Sequence, residues 1–289
     1  MKILILGGTG LVGSFIRNSS LADEFRLIIH GHENKSDVNC DMTNINEMYN
    51  LLSKDKYEII LNLVAQTDVD KCEQDASASF NYNIKTAYNL SQTIKILKIN
   101  SRLIHISTDQ IYNENGRNKE EDQNPINNYS LSKYLAEKLF DLDKTIILRT
   151  NFFGKSTELK LESFSDWIFK KSFSQDKVLG FDDIVFNPVS NHTFIKTLRE
   201  LVVSKEVGVF NLGSAGQITK FGFIKKFLKA INRGDKIQLH KANSSEYLFA
   251  QRPQNMVMCN KKISKLLPFK LPSIEEEIFN VGKDYCYNE

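Results

Sequence analysis

The chain has 289 residues, of which 41% are hydrophobic, 25% charged and 10% aromatic, as is usual for globular enzymes. Its 38 basic and 35 acidic side chains leave a formal net charge of +3, too small to indicate a nucleic-acid or anionic-membrane partner. No apolar stretch approaches the roughly 20 residues that cross a bilayer, and the N-terminus lacks a signal-peptide pattern. With four scattered cysteines and no CxxC pair, these features predict a cytoplasmic protein without a metal site.

Short apolar segments alternate with longer segments of helical spacing along the first half of the chain. The predicted strands are Lys2 to Leu6, Arg26 to Ile29, a short segment ending before Asp41, Glu58 to Leu63, Arg102 to Ile106 and Thr145 to Leu148. Ala76 to Leu97 and Ser130 to Phe140 have helical spacing. Because the strands are apolar on both faces and alternate with helices, they predict an α/β fold with a parallel sheet covered on both sides.

The rhythm changes after Arg149. Three helices are predicted at Phe164 to Phe173, Thr193 to Val203 and Phe221 to Ile231, with a strand at Val207 to Leu212. We therefore predict a Rossmann-type, doubly wound sheet domain over residues 1–150. A smaller C-terminal α/β substrate domain is predicted over residues 151–289, with some of its segments returning to the first sheet.

A glycine-rich turn follows the first predicted strand and precedes a helix. Glycines at this spacing allow a sharp turn, a close approach of pyrophosphate and tight packing of the helix on the strand, while the helix N-terminus supplies amide donors. The turn therefore predicts a dinucleotide site. Its candidate cofactor-binding residues are Gly7, Thr9, Gly10, Leu11, Val12 and Gly13.

The end of the second predicted strand bears on which dinucleotide binds. An acidic residue about 20 positions after the glycine turn would hold the ribose diol of NAD, and none closes this strand. His30, His32 and Lys35 are instead candidates for a 2′-phosphate, which favours NADP and leaves NAD open. Asp41 is a candidate for contact with the adenine ring, or else an acid at a helix start.

Two Tyr-x-x-x-Lys pairs lie close together, Tyr129 with Lys133 and Tyr134 with Lys138. About one such pair is expected by chance, so spacing alone decides little. The pairs lie about 500° apart around a helix and cannot face one site. Tyr129 follows the turn-like segment Pro125 to Asn128 and should lie near a helix start, so we assign the chemistry to the first pair.

The physical roles of these residues follow from their positions. Tyr129 and Lys133, four residues apart on a helix, share one face, so the lysine can lower the pKa of the phenol and bind the nicotinamide ribose. Thr108 follows a central strand, at the edge where open α/β sheets place their chemistry. Tyr129 would act as general acid and Thr108 would hydrogen-bond the substrate oxygen.

These segments together resemble the extended short-chain dehydrogenase/reductases, and more narrowly the dTDP-4-dehydrorhamnose reductase family. The resemblance spans nearly the whole chain and rests on the GxxGxxG turn and on six further segments: Asn62 to Ala65, Thr67 to Glu73, Ser107 to Asp109, Tyr129 to Lys133, Arg149-Thr150 and Arg252 to Asn255. It implies a catalytic set of Thr108, Tyr129 and Lys133. It also implies reduction of the 4-keto group of a dTDP-linked deoxyhexose for surface polysaccharide.

The same resemblance suggests further contacts. Ala65, after the fourth predicted strand, is a candidate for backbone contact with the cofactor, and Asp109, Asn151 and Arg252 are candidates for substrate binding, Arg252 through a diphosphate. Gln110 stands where the family often has tyrosine, and Asn151-Phe152 where it often has Ser-Trp. These departures leave the identity of the sugar open.

Three functions remain open at this point. The first is an NAD(P)H-dependent keto-sugar reductase acting on a small nucleotide sugar, as a homodimer by family resemblance only. The second is an epimerase, or a reductase of a UDP- or GDP-linked sugar. The third is a binding subunit without catalysis, like the related regulatory β subunit of methionine adenosyltransferase.

Overall fold

A computed structural model describes residues 1–31, 36–158, 160–174, 176–234 and 237–286. Its strands are β1 (Lys2–Leu6), β2 (Arg26–Ile29), β3 (Ile59–Asn62), β4 (Arg102–Thr108), β5 (Thr145–Thr150), β6 (Phe152–Phe153), β7 (Lys177–Phe181), β8 (Val185–Phe186), β9 (Val189–Ser190), β10 (Gly208–Leu212), β11 (Ile218–Thr219) and β12 (Gln238–Ala242). Its α-helices are α1 (Leu11–Arg17), α2 (Ser20–Glu24), α3 (Ile45–Ser53), α4 (Val69–Gln74), α5 (Ala76–Phe80), α6 (Thr86–Ile96), α7 (Asn128–Glu137), α8 (Phe164–Lys171), α9 (Asn191–Val203), α10 (Lys220–Ala230), α11 (Ser244–Tyr247) and α12 (Ile274–Cys286).

The central sheet has six strands in the order β10-β5-β4-β3-β1-β2. Strand β1 pairs in parallel with β2 on one side and with β3 on the other, and β3 pairs in parallel with β4. Every residue of β3 and of β5 is buried, as expected when helices cover both faces of a sheet. The predicted α/β fold with a Rossmann-type parallel sheet is confirmed.

The order of the strands locates the crevice of the sheet. From β1 the chain goes to β2 on one side and then crosses to β3 on the other, so the topology switches direction between β1 and β3. In open α/β sheets ligands bind outside the carboxyl ends of the strands at this switch. The glycine turn follows β1, and Leu63 to Ala65 follow β3.

Two predicted elements differ in the structure. The segment before Asp41 makes only an isolated bridge, from His30 to Val38, so Ala65 follows the third strand rather than the fourth. The predicted helix Ala76 to Leu97 is divided into α5 and α6 by a π-helical turn, Asn81–Lys85. Within that turn, Asn83 accepts a hydrogen bond from the Gln66 amide and donates one to Ser132 (both 2.8 Å), long-range contacts that helical spacing does not reveal.

The described chain divides into two compact units. The first comprises Met1–Thr108, Asn127–Arg149 and Leu201–Val209, and the second comprises Asp109–Ile126, Thr150–Glu200 and Phe210–Glu289. The first has an aliphatic core around Leu4, Ile60 and Ile147, whereas the second is centred on aromatic rings such as Phe223 and Phe227. The predicted limits, 1–150 and 151–289, stay a prediction about the division of function. Across the described residues, no helix has the length and hydropathy needed to cross a bilayer.

Candidate active site

The glycine turn has the geometry that a dinucleotide requires. Gly7 adopts φ +74°, in the left-handed region that favours glycine. A Cβ on Gly13 would lie 2.1 Å from the Gly8 carbonyl oxygen, so only glycine lets α1 come this close to the end of β1. Gly10 is the N-cap of α1 and has no side chain to accept hydrogen bonds from the first-turn amides. These residues fit the phosphates of NAD(P), because the backbone forms the cradle and a Cβ on Gly13 would collide with it.

His30 is buried and contacts the backbone of the glycine turn. Its ring is 2% exposed, and its Nδ1 accepts a hydrogen bond from the Gly7 amide at 3.2 Å. Nε2 therefore carries the proton and donates to the Cys40 carbonyl oxygen at 2.8 Å. Because both ring nitrogens are bonded to backbone, this geometry argues against the predicted contact of His30 with a 2′-phosphate and assigns the ring to holding the turn.

The other residues predicted to select the cofactor have different placements. His32 and Lys35 lie outside the described residues. Asp41 is exposed, and its Oδ1 accepts hydrogen bonds from the backbone amide (2.9 Å) and the hydroxyl (2.8 Å) of Thr43. Its contact with the adenine ring stays a prediction.

The edge formed by β3 and β4 is held together by a buried amide and an imidazole. Asn62 donates to Nδ1 of His105 at 3.1 Å and accepts a hydrogen bond from the Val64 amide at 3.1 Å, which shapes the turn that leads to Ala65. Burial lowers the pKa of His105 well below its ordinary value, and the nearby charge of Lys133 adds to the effect. His105 is therefore a neutral structural group at neutral pH.

Helix α7 is anchored so that its first turn is well defined. Asn127 and Ser130 form a capping box, in which the Asn127 side chain accepts from the Ser130 amide at 2.8 Å. The Asn128 amide donates to the carboxylate of Glu73, from the Thr67 to Glu73 segment, at 2.9 Å. This confirms the prediction that Tyr129 lies at a helix start, since α7 begins at Asn128.

The structure brings Lys133 to the end of the strand that carries Thr108. The Lys133 ammonium donates to the Ile106 carbonyl oxygen of β4 at 2.9 Å, and Thr108 is the last residue of that strand. Tyr129 lies one helical turn before Lys133, and all three side chains are nearly buried, with 3–6% exposed. Burial lowers the pKa of Lys133 to about 8, and the charge of Glu137 opposes this effect.

The second Tyr-x-x-x-Lys pair has a different arrangement. It makes a cation–π contact, with the Lys138 ammonium 4.6 Å from the Tyr134 ring centroid.

A buried ion pair between Arg149 and Glu137, which follows Lys133 on α7, was not predicted from the sequence. Nη2 of Arg149 lies 2.6 Å from the carboxylate of Glu137, and the two side chains are 1% and 3% exposed. The Ser107 hydroxyl also donates to this carboxylate. Two features of the sequence would have allowed the pair to be predicted: Glu137 follows Lys133 by four residues on α7, and Arg149 is a charge within the otherwise apolar strand β5.

Three of the predicted substrate residues belong to the second unit. Nδ2 of Asn151 donates to Oδ2 of Asp109 at 2.8 Å. Asp109 is buried, and it is the residue that follows Thr108 in the chain. Arg252 donates through Nη1 to the Ala250 carbonyl oxygen at 2.7 Å. Both Asp109 and Arg252 contribute to the electrostatic environment of Lys220, a residue that belongs to none of the predicted motifs.

Replacing Lys133 with methionine is expected to stabilise the protein at pH 7 and to abolish its proposed chemistry. Because the pKa of Lys133 falls from 10.5 to about 8 on folding, the unfolded chain holds a proton that the folded chain releases between these values. Below pH 8 the cost of burying the charged Lys133 ammonium therefore lowers the free energy of unfolding by its full amount. The free energy of unfolding rises again as the pH rises toward 10.5. Urea unfolding should show a gain of about 1–3 kcal/mol for Lys133→Met at pH 7 that shrinks at pH 10.

The exposed Lys138 provides the matched control for that measurement. Lys138→Met should change the free energy of unfolding little at either pH, since Lys138 lies on the exposed side of α7. An equal stability difference between wild type and Lys133→Met at pH 7 and at pH 10 would contradict the assignment of a lowered pKa to Lys133.

Comparison with known proteins extends these findings. A family model described as RmlD substrate binding domain matches residues 1–286. A probable low-salt glycan biosynthesis reductase, Agl14, of Haloferax volcanii is 23% identical over 96% of each chain. The structure of dTDP-4-dehydrorhamnose reductase of Bacillus anthracis in complex with NADP has a TM-score of 0.86 at 20% identity, covering 98% of this chain and 99% of that one.

A second solved structure is that of an epimerase. UDP-glucuronic acid 4-epimerase of Bacillus cereus, in complex with UDP-glucuronic acid and NAD, has a TM-score of 0.81 at 19% identity and covers 99% of each chain. At these identities the structural matches establish a shared fold, and the choice between reduction and epimerisation depends on the site.

Proposed function

Because the chain belongs to the RmlD substrate-binding-domain family, whose model spans residues 1–286, we propose that it is an NADPH-dependent reductase of a nucleotide-linked 4-keto-6-deoxyhexose. One observation carries the proposal: α7 presents Tyr129 and Lys133 together, and Lys133 is bonded to the strand that ends in Thr108. The Haloferax volcanii relative, a probable low-salt glycan biosynthesis reductase, supports a product used in glycan biosynthesis. We propose a surface polysaccharide as the destination of the sugar.

The residues that would hold the cofactor are those around the switch point of the sheet. The backbone from Gly7 to Gly13 would bind the diphosphate, Ala65 would lie along the dinucleotide, and Lys133 would bind the nicotinamide ribose. When bound, NADPH supplies the hydride. The NADP complex of the Bacillus anthracis protein supports NADP over NAD, although the placement of His30 does not add to that preference.

The side chains of this protein supply the proton and stabilise the charge that develops. As the carbonyl carbon is reduced, its oxygen takes the proton of the Tyr129 hydroxyl, and the keto group becomes an alcohol. The hydroxyl of Thr108 donates a hydrogen bond to the same oxygen. The Lys133 ammonium stabilises the phenolate left on Tyr129, and the nearly complete burial of the three side chains keeps water from weakening these interactions.

A substrate panel tests the proposal directly. Purified protein is incubated with dTDP-4-keto-6-deoxy-mannose and NADPH, and the loss of NADPH absorbance is followed, with NADH in a parallel series. We expect oxidation that depends on the sugar and is faster with NADPH. The corresponding UDP- and GDP-linked keto sugars are run as comparisons. An enzyme that oxidises neither cofactor with any of these sugars would contradict the proposal.

An epimerase is the second candidate, favoured by the match to the Bacillus cereus epimerase. Such an enzyme would retain NAD through purification and interconvert a nucleotide sugar with its epimer without net change in the cofactor. NADPH binding with no conversion of any sugar would favour the non-catalytic subunit instead. The homodimer and the cytoplasmic location stay predictions, the homodimer from the resemblance and the location from the sequence.

A further inference from the structure

A cavity of about 330 Å³ lies within the first unit, at the edge of the central sheet opposite the candidate active site. Its walls come from the end of α6, the segment after α7 and the starts of β4 and β5. Leu103 in the wall lies near the start of β4 and Thr108 ends that strand, so about 16 Å of extended chain separates them. Pockets for small molecules begin at about 300 Å³, so the cavity is large enough to hold one.

The inner wall of this cavity is apolar. Leu103 and Phe140 are buried members of the aliphatic core of the first unit, and Ile94 and Ile99 pack against that core with their side chains partly buried. Burying apolar surface of a ligand against these side chains removes it from water, which favours binding. The inner wall therefore selects a ligand with an apolar body.

The mouth of the cavity is basic. Lys95, Lys98 and Lys144 line it with exposed side chains, and within the described parts of the chain none of the three ammonium groups pairs with a carboxylate. Asp141 is also in the wall, but its Oδ1 accepts a hydrogen bond from the Asp143 amide at 3.1 Å. Lys95 belongs to the last turn of α6, where the helix dipole stabilises a cation. Lys98 and Lys144 lie outside the helices, and their charges are available to an anion.

The backbone of Lys98 is held in a conformation that lysine rarely adopts. Its φ is +52°, in the left-handed region, and it closes α6: the Lys98 amide donates to the Lys95 carbonyl oxygen (3.2 Å) and the Ile99 amide to that of Ile94 (3.0 Å). This pair of bonds is a Schellman motif, in which glycine is usual at the left-handed position. Strained residues of this kind are concentrated at ligand sites, and here the strained residue carries an ammonium group to the mouth of the cavity.

We propose that this cavity binds a small organic anion, with its apolar body against Leu103 and Phe140 and its acidic group at Lys98 and Lys144. An apolar inner wall with cations at the mouth matches a carboxylate or phosphate that carries a ring or a short hydrocarbon chain. The site is independent of the proposed function, because none of its residues belongs to the glycine turn or to the predicted catalytic set.

Calorimetric titration with 1-naphthoate, 1-naphthyl phosphate and the neutral 1-naphthalenemethanol tests this site, with NADP⁺ present so that the glycine turn is occupied. We expect at least one of the anions to bind about tenfold tighter than the alcohol, and the tighter anion identifies the acidic group. Replacing both Lys98 and Lys144 with methionine should raise the Kd for that anion about tenfold or more and leave the Kd for the alcohol unchanged.

Lys98→Gly separates binding from folding. Glycine adopts the left-handed conformation readily, so this variant should unfold at a higher temperature than wild type and still bind the anion more weakly. Lys54→Met is the control, since Lys54 is exposed at the end of α3 and lies outside the cavity, and it should bind as wild type does. Wild-type affinity in the folded double variant would overturn the proposal. Equal affinity of wild type for the anions and the alcohol, or no binding of either anion at millimolar concentration, would also overturn it.

Discussion

Replacing Tyr129 with phenylalanine is expected to lower the kcat of keto-sugar reduction by about 10²–10⁴-fold while NADPH still binds. The change removes one oxygen, so the packing of the ring at the start of α7 is retained and the acidic proton is lost. The hydride still has an acceptor carbon, but the developing alkoxide has no proton donor at that position. Initial rates of NADPH oxidation and a separate titration with NADPH measure the two effects.

Tyr134 is the matched control, since it belongs to the same helix and to the other Tyr-x-x-x-Lys pair. Its ring stacks with Lys138, and Tyr134→Phe should leave kcat within about twofold of wild type because a cation–π contact needs the ring and not the hydroxyl. If Tyr129→Phe were as active as wild type, Tyr129 would not be the acid. If Tyr134→Phe were the inactive variant, the second pair would be the catalytic one.

Replacing Glu137 with glutamine is expected to lower the free energy of unfolding by about 3–5 kcal/mol. The substitution removes the charge that Arg149 faces, and it leaves a guanidinium that is 1% exposed without its ionic partner. Urea unfolding at pH 7 measures the loss. Glu121→Gln is the control: its ion pair with Lys119 is exposed and 3.8 Å long, and its loss should not change stability measurably.

Glu137→Gln should also change the pH dependence of the reaction. The Lys133 ammonium donates to the Ile106 carbonyl oxygen of β4 and lowers the pKa of His105 on the same strand, and the charge of Glu137 raises the pKa of Lys133. Without that charge the pKa falls further below about 8, so the loss of kcat at alkaline pH should begin at lower pH. A destabilised variant with an unchanged pH profile would limit Glu137 to a structural role.

A double variant separates the two effects. Replacing both Glu137 and Arg149 with methionine removes the buried charges together, and such replacements often restore the stability that a single substitution loses. We expect the free energy of unfolding to recover in part, whereas the alkaline limb of kcat should stay displaced, because the negative charge near Lys133 is still absent. Recovery of the wild-type pH profile would contradict the role assigned to Glu137.

The sequence alone determined the features that depend on local pattern. The alternation of apolar strands with helices specified the parallel sheet, and the glycine turn required small residues between β1 and α1. The turn before Tyr129 distinguished the two Tyr-x-x-x-Lys pairs, because a helix start is encoded by the residues beside it. Each of these inferences uses neighbours within a few positions, where spacing and residue type dictate the geometry.

Only the tertiary structure decided how charged and polar side chains are used. His30 proved to hold the glycine turn, because a residue 23 positions away supplies the amide that its Nδ1 accepts from. The Glu137 and Arg149 pair forms across a helix and a strand, and Lys220 approaches Phe186 and Phe164 from 34 and 56 positions away. Whether a charge is solvated, paired or held between rings depends on these distant partners. Local pattern does not specify them, since packing of the whole chain brings them together.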